Sequence, residues 1–192
     1  MSRAPARSVD RTTPAAWILV VAGLAAMLLR LQLVTLAGSS RMLALAAVCT
    51  ALLVGCLLVP IAPDRDQPGL SPWAGTLIGL GAVGLAGLVS GPVVRMPFAA
   101  WALPMSVLAA VAEEALFRRV AYGWLARWGV PVAIVGSAVL FAAVHVPLYG
   151  VAVLPVDLGA GLLLGWQRWA TGTWTVPAVT HAAANVLATV MR

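Results

Sequence analysis

Lysine is absent from this sequence of 192 residues, and all twelve basic residues are arginine. Acidic residues number only six, so charged side chains make up 9% of the chain, against about 25% in a typical soluble chain. Hydrophobic residues reach 62%. A water-soluble globular domain of this size could not cover its surface with so few charges, and a disordered chain would be far less apolar. The composition therefore predicts a protein whose outer surface faces lipid.

Cysteine is scarce as well, and the two cysteines do not predict a disulfide. Cys49 and Cys56 lie seven positions apart in one apolar run. On a helix that separation is about 10 Å, too long for a disulfide, so we expect two small core residues. The net charge of +6 does not predict a nucleic-acid partner, because most of the arginines lie between apolar runs.

Apolar runs separated by proline, glycine and charges predict an all-α, polytopic bundle of about seven transmembrane spans, with six to eight allowed by the length. We place the runs at about 15–37, 42–62, 72–90, 97–125, 132–148, 152–166 and 177–192. Residues 1–14 are expected to form a cytoplasmic segment. Residues 15–192 are expected to form a single transmembrane domain with no soluble domain appended.

The arginines between the runs predict the orientation of the bundle. With the N-terminus in the cytoplasm, six lie on the cytoplasmic side and three on the other, as the positive-inside rule expects. The cytoplasmic set is Arg3, Arg7, Arg11, Arg65, Arg127 and Arg168, and the other set is Arg41, Arg95 and Arg192. This count treats Arg168 to Trp174 as a polar connection. Abundant alanine, glycine and arginine without lysine favour a GC-rich bacterial genome, and so a bacterial inner membrane.

Two pairs of glycines have the small-xxx-small spacing that lets helices approach closely. One pair is Gly75 and Gly79, and the other is Gly161 and Gly165. We expect both pairs to pack inside the bundle rather than to form a dimer contact.

A pair of acidic residues lies inside an apolar run. A charge at the bilayer centre costs about 3 kcal/mol or more, so Glu113 and Glu114 should face the bundle interior. Neighbours on a helix point about 100° apart, so the two side chains need different roles. Glu114 and Arg118 are four residues apart and are expected to form a buried ion pair that fixes the helix position. Glu113 is then left to project elsewhere.

The histidines fall in later runs, at spacings that relate them to the acidic pair. Glu113 lies 16 residues before the turn at Gly129, and His145 lies 16 residues after it. In a hairpin of two straight helices, their side chains therefore lie at one depth and can hold a water between them. His181 and Asn185 share a helix face and form a donor pair suited to an oxyanion. The predicted helix ends put His181 at a shallower depth in the membrane than Glu113. Either the helix that carries His181 begins deep in the membrane, or the predicted boundaries are off.

The concentration of these groups in three late runs favours one site over scattered polar contacts between helices. Three classes of function remain open on these residues. The first is a peptidase, the second is a non-catalytic immunity protein or peptide-binding scaffold, and the third is a proton-coupled transporter that uses Glu113 and the histidines as a relay.

The order of the motifs resembles the CPBP intramembrane protease family. This family includes the type II CAAX prenyl endopeptidases and the bacteriocin-processing or self-immunity proteins called Abi. The motifs read Glu113-Glu114-Ala-Leu-Phe-Arg118, Phe141-Ala-Ala-Val-His145 and His181-Ala-Ala-Ala-Asn185. The resemblance covers about residues 100–190. Each motif alone is weak, but three in order at about the right spacing make a strong match.

The resemblance implies a helical fold with a cavity open to the cytosol and hydrolysis of a peptide bond by an activated water. Carried over, Glu113 is the general base and His145 its partner on the water. His181 and Asn185 stabilise the oxyanion, while Glu114 and Arg118 are essential supports. Many relatives carry glycine where this chain has Arg119, which adds a charge near the site and either alters the substrate shape or snorkels. The partners expected are a membrane and a peptide or lipidated protein substrate, with CAAX specificity not implied.

No cofactor is expected to be required. A divalent metal such as zinc stays open as an alternative, and its ligands would be Glu113, His145 and His181. Against zinc, the sequence has no H-E-x-x-H pair on one helix, and a carboxylate and a histidine suffice to activate a water.

Overall fold

The computed structural model describes residues 14–33, 38–60, 69–89 and 101–190, and every regular element among them is helical. In chain order the helices are α1 (Pro14–Leu33), α2 (Gly38–Leu58), α3 (Pro72–Val89), α4 (Ala102–Glu114), a π-helical segment (Ala115–Ala121), α5 (Tyr122–Leu125), α6 (Val130–Tyr149), α7 (Leu154–Thr171) and α8 (Thr175–Val190). Single 3₁₀ turns follow α5 and precede α7. The all-helical prediction is confirmed.

Helix α4, the π-helical segment and α5 form one continuous rod. The residues at both junctions, Ala115 and Tyr122, keep right-handed helical dihedral angles. Counted this way, the described residues form seven rods, one for each predicted apolar run. By length and composition alone, two stretches could cross a membrane, Ser40–Leu58 and Val130–Tyr149. Three shorter stretches are apolar too, and they are Ile18–Leu29, Pro72–Leu88 and Thr175–Val190.

Several helix ends differ from the predicted ones. Helix α2 begins at Gly38 rather than at 42, and α8 begins at Thr175 rather than at 177. Helix α7 runs to Thr171, five residues beyond its predicted end at 166, because the polar residues there are buried by partners on other segments. Parts of the predicted runs lie outside the described residues, and these parts are 34–37, 61–62, 90, 97–100 and 191–192.

The predicted polar connection from Arg168 to Trp174 is therefore wrong in its first half. Arg168 lies in α7, is buried, and donates from Nε to the main-chain carbonyl oxygen of Arg118 at 3.1 Å. The guanidinium also lies over the ring of Tyr122, 5.2 Å from its centre. An arginine buried inside the bundle with these partners does not report topology.

Helices α6 and α7 pack closely along each other, as the glycine spacing predicts. A Cβ added at Gly161 would meet the Cα of Ala138 at 2.9 Å, and one at Gly165 would meet Ile134 at 3.3 Å. The other glycine pair lies on α3, where Gly79 sits against side chains of α7 and α8. The expectation that both pairs pack inside the bundle is confirmed.

The apolar core lies where α1, α2 and α6 surround the α4–α5 rod. Leu116 and Phe117 are fully buried in it. Cys49 and Cys56 join the same core without a disulfide between them, as their spacing predicts.

Arg119 is directed to the end of α2 and does not line the cavity described below. Its guanidinium donates to the carbonyl oxygens of Cys56 and Leu57, the second at 3.2 Å. These carbonyls belong to the last turn of α2, where helical donors run out. A cation there also offsets the negative end of the helix dipole. Arg119 therefore holds α2 against the π-helical segment and does not line the cavity.

Candidate active site

A cavity of about 450 Å³ opens among α2, α4, α6, α7 and α8. Its size lies within the range of about 300–1,000 Å³ typical of ligand sites. All four residues predicted to be catalytic line it, and they are Glu113, His145, His181 and Asn185. The structure thus brings three distant motifs to one place.

Glu113 lies between the two histidines. Its Oε2 atom is 3.8 Å from Nε2 of His145 and 3.8 Å from Nε2 of His181. The carboxylate and the ring of His145 are at one depth, as the hairpin around Gly129 predicts. A separation of 3.8 Å is too long for a direct hydrogen bond, but a water about 2.8 Å from each atom fits between them.

The depth of His181 follows from where its helix begins. Helix α8 starts at Thr175, less than two turns before His181, and that histidine still reaches Glu113. The start of α8 therefore lies close to the level of the acidic pair. The predicted start at 177 was off by two residues, and the first two turns of α8 lie beside the acidic pair.

Glu114 pairs with two partners through one oxygen atom. Its Oε1 accepts from Nη1 of Arg118 at 2.9 Å and lies 2.9 Å from Nδ1 of His181. Glu114 and Arg118 are completely buried, and Arg118 also donates from Nη2 to the carbonyl oxygen of Gly161 at 3.2 Å. The predicted ion pair is present. It additionally orients His181, which the sequence did not indicate.

Phe141 is the apolar centre of this arrangement. Its ring centre is 4.6 Å from that of His145 and 5.4 Å from that of His181, and the guanidinium of Arg118 lies 4.7 Å away. Its carbonyl oxygen lies 2.8 Å from Nδ1 of His145. Because a carbonyl only accepts, Nδ1 of His145 carries the hydrogen, which leaves Nε2 as an acceptor facing Glu113.

Asn185 lies one turn beyond His181 and reaches back to α4. Its Nδ2 atom donates to the carbonyl oxygen of Ser106 at 3.2 Å. This bond fixes which way the amide faces and uses one of the two hydrogens on Nδ2. The second hydrogen is available to a group in the cavity.

Comparison with protein families finds a match for the second half of the chain. A family model described as type II CAAX prenyl endopeptidase, Rce1-like, matches residues 95–187. The matched region is similar to the Rce1-like family, which supports the CPBP/CAAX protease family. It is a little under half of the chain and contains every motif residue named above. The resemblance inferred from the motifs is therefore confirmed. Comparison with curated proteins and with solved structures gives no match.

The Rce1-like region holds a cavity residue that the sequence analysis did not single out. Asp157, in the first turn of α7, lines the cavity and places Oδ2 3.9 Å from Nδ1 of His145. His145 thus has one carboxylate near each ring nitrogen, Glu113 at Nε2 and Asp157 at Nδ1. An acidic residue within an apolar run was the available signal, but no neighbour at helical spacing related it to the motifs.

The three side chains predicted as zinc ligands, Glu113, His145 and His181, lie together at the cavity. Within the described ranges, no group of three or more histidine, cysteine, aspartate or glutamate side chains is arranged to hold a metal ion. Zinc donors lie about 2.0–2.2 Å from the metal, which sets donor atoms closer together than the 3.8 Å that separates Glu113 from each of His145 and His181. Zinc binding by Glu113, His145 and His181 would require these donors to move closer together.

Proposed function

We propose that this protein is an intramembrane endopeptidase that hydrolyses a peptide bond of a membrane-associated peptide or lipidated protein. Similarity to the Rce1-like family supports a protease in general. The observation that carries the mechanism is the position of Glu113, with one carboxylate oxygen 3.8 Å from Nε2 of both His145 and His181 inside the cavity.

The proposal places the bundle across a membrane as a multi-pass protein. Large apolar side chains point outward on several helices, with Leu58 77% exposed, Leu88 84% and Val156 72%. Soluble monomers rarely expose apolar surface on this scale, whereas lipid-facing helices do so everywhere. With the buried Arg168 removed from the count, arginines between the runs still favour a cytoplasmic N-terminus by five to three. A bacterial inner membrane remains the proposed location.

Hydrolysis begins with a water between Glu113 and His145. The water donates one hydrogen to Oε2 of Glu113 and the other to the unprotonated Nε2 of His145. Its oxygen then attacks the carbonyl carbon of the scissile bond as Glu113 takes the proton, which is general base catalysis. The tetrahedral intermediate collapses when Glu113 returns this proton to the leaving nitrogen, and the carbon–nitrogen bond breaks. No step uses a metal.

The negative oxygen of the intermediate needs donors, and we assign this role to Asn185 and His181, which both line the cavity. Asn185 offers the second hydrogen of its amide. His181 already directs Nδ1–H to Glu114, so it donates from Nε2 only as an imidazolium. The carboxylate of Glu114 offsets that extra charge. Positioned donors of this kind typically accelerate the reaction by about 10²–10³-fold each.

The test is cleavage by the full-length protein reconstituted in liposomes. Replacing Glu113 by glutamine preserves the shape and removes the base, so we expect cleavage to fall by about 10²–10⁴-fold. Glu113→Asp is the matched control, because it keeps the carboxylate and should retain more activity than the glutamine form. The same Glu113→Gln protein, used to capture substrates for mass spectrometry, would identify what is cleaved.

The outcomes separate the three classes of function. Retained cleavage by Glu113→Gln would overturn the peptidase mechanism. A wild-type protein that cleaves nothing, and whose cellular phenotype survives Glu113→Gln, would be a binding or immunity protein. Activity that requires an ion gradient would indicate transport.

A further inference from the structure

The cavity has an acidic end that the proposed mechanism does not use. Asp157 lines it at the start of α7, and Tyr149 lines it at the end of α6. The two residues flank the turn at Gly150. Asp157 lies near Nδ1 of His145, and Tyr149 lies over the face of the same ring. Tyr149 stacks on that ring, with centres 5.8 Å apart and planes 13° from parallel, and it is 59% exposed.

Asp157 lies in the first turn of α7, where its charge suits the helix dipole, but its carboxylate has an unsatisfied oxygen. No side chain forms a capping hydrogen bond at the N-terminus of α7. Its Oδ2 atom is buried and finds no hydrogen-bond donor in the described part of the chain. Leaving a buried polar atom unsatisfied typically costs about 1–3 kcal/mol. A donor from outside the chain would remove that cost.

The charges around the cavity favour a cation as that donor. Two carboxylates line it, Glu113 and Asp157, and none of the described lining residues is an arginine. Among the described arginines, Arg118 binds Glu114 and Arg119 binds carbonyl oxygens at the end of α2, so neither lines the cavity. A low-dielectric cavity with this balance concentrates positively charged groups.

We propose that Asp157 and Tyr149 form a subsite for a basic side chain of the substrate, close to the scissile bond. The guanidinium or ammonium group binds the Asp157 carboxylate, and the exposed Tyr149 ring contacts the cation or its aliphatic stem. Because Asp157 and Glu113 lie at the two nitrogens of one imidazole, they are no more than about 10 Å apart, the reach of about three extended residues. The basic residue is therefore within a few positions of the bond that is cleaved. This inference rests on the proposed function.

Binding tests the subsite without requiring cleavage. The probes are short N-palmitoylated peptides of alanine, leucine and serine with one arginine moved through every position, each paired with the citrulline peptide. Citrulline keeps the shape of arginine and removes its charge. Affinities are measured on full-length Glu113→Gln protein in liposomes, with and without Asp157→Asn. We expect arginine to bind about 10–100-fold more tightly than citrulline at one or two adjacent positions. Asp157→Asn should reduce this ratio to within about twofold.

Tyr149 provides a second pair of variants. Tyr149→Leu removes the ring and should lower the arginine-to-citrulline ratio severalfold, whereas Tyr149→Phe keeps the ring and should preserve it. Thermal unfolding of each variant confirms that the fold is intact.

Two results would overturn the subsite. One is an equal affinity for arginine and citrulline at every position when Asp157 is present. The other is an arginine preference that survives Asp157→Asn. Cleavage by the wild-type protein is scored separately. Binding of arginine through Asp157 without any cleavage would support the subsite and reject the peptidase. Cleavage with no preference for arginine over citrulline would support the peptidase and reject the subsite.

Discussion

Nδ1 of His181 lies 2.9 Å from Oε1 of Glu114, although the two residues are 67 positions apart in the chain. This contact ties the last motif to the first. It also divides the work of the acidic pair, since Glu114 orients a histidine while its neighbour Glu113 faces the cavity. We therefore expect Glu114 to act as a positioning residue, and its replacement should lower the free energy of unfolding as well as the rate of cleavage.

Glu114→Gln should be strongly destabilising. The change removes the negative partner of Arg118, which is completely buried, and leaves an uncompensated charge in the bundle. Breaking a buried pair in this way typically costs about 3–5 kcal/mol. The measurement is the free energy of unfolding by denaturant titration in detergent micelles. Asp157→Asn is the control, a carboxylate-to-amide change in the same cavity wall that forms no ion pair with an arginine, and it should cost less than about 1 kcal/mol. Equal losses for the two variants would contradict this account.

Gly161→Ala and Gly159→Ala test the packing of α6 on α7. The added methyl at Gly161 meets the backbone of Ala138 at 2.9 Å, so the two helices must separate, at a cost of about 1–3 kcal/mol. Gly159, half a turn away on the same helix, has nothing within 4 Å of an added Cβ. Alanine there should be neutral or stabilising by up to about 1 kcal/mol, because glycine is the poorer helix former. Thermal unfolding of both variants decides the point, and a Gly161→Ala protein as stable as Gly159→Ala would show that the contact is not tight.

Arg119→Gln should loosen the end of α2 and leave its middle unchanged. The arginine supplies donors to the carbonyls of Cys56 and Leu57. Cys56 is fully buried at that end, whereas Cys49 is buried two turns earlier. In variants that keep one cysteine each, maleimide should label Cys56 several times faster after Arg119→Gln, with little change at Cys49. Equal acceleration at both thiols would mean that the whole bundle had loosened rather than one helix end.

Chelation tests the zinc alternative. Because the described side chains offer no three-ligand site, we expect 1,10-phenanthroline and EDTA to leave cleavage within about twofold of the untreated protein. Elemental analysis of the purified protein gives a readout that does not depend on activity. A stoichiometric zinc content, or a loss of activity that added zinc restores, would establish a metal site formed by Glu113, His145 and His181.

Much of the site could be predicted because its residues are related by helix geometry. Spacing of four residues gave the Glu114–Arg118 pair. Equal distances from Gly129 gave the shared depth of Glu113 and His145. These relations depend only on rise and rotation per residue, so they can be read from a sequence. The number of rods followed in the same way from the alternation of apolar runs and breaks.

What escaped prediction depends on contacts between distant segments. Arg168 looks like a connecting residue until the carbonyl of Arg118 and the ring of Tyr122 are seen beside it. Arg119 finds its partners more than sixty positions earlier in the chain. Asp157 became a cavity residue only through the turn of α6 onto α7. Local patterns carry no information on these pairings, because each is created by the packing of whole helices.

The π-helical segment accommodates one residue more than a regular α-helix would hold there. It lies directly after Glu114 and contains Arg118. A π-helical turn carries more residues than an α-helical one, so deleting one residue from 119–121 would allow the rod to return to regular α-helical pitch. Glu114 and Arg118 would keep their spacing of four residues, and Trp124 beyond the deletion would keep nearly its present direction into the core. The same deletion within α6, which is α-helical throughout, would turn everything beyond it by about 100°. The loss of one residue therefore disturbs the helix that follows much less in this segment than it would in α6.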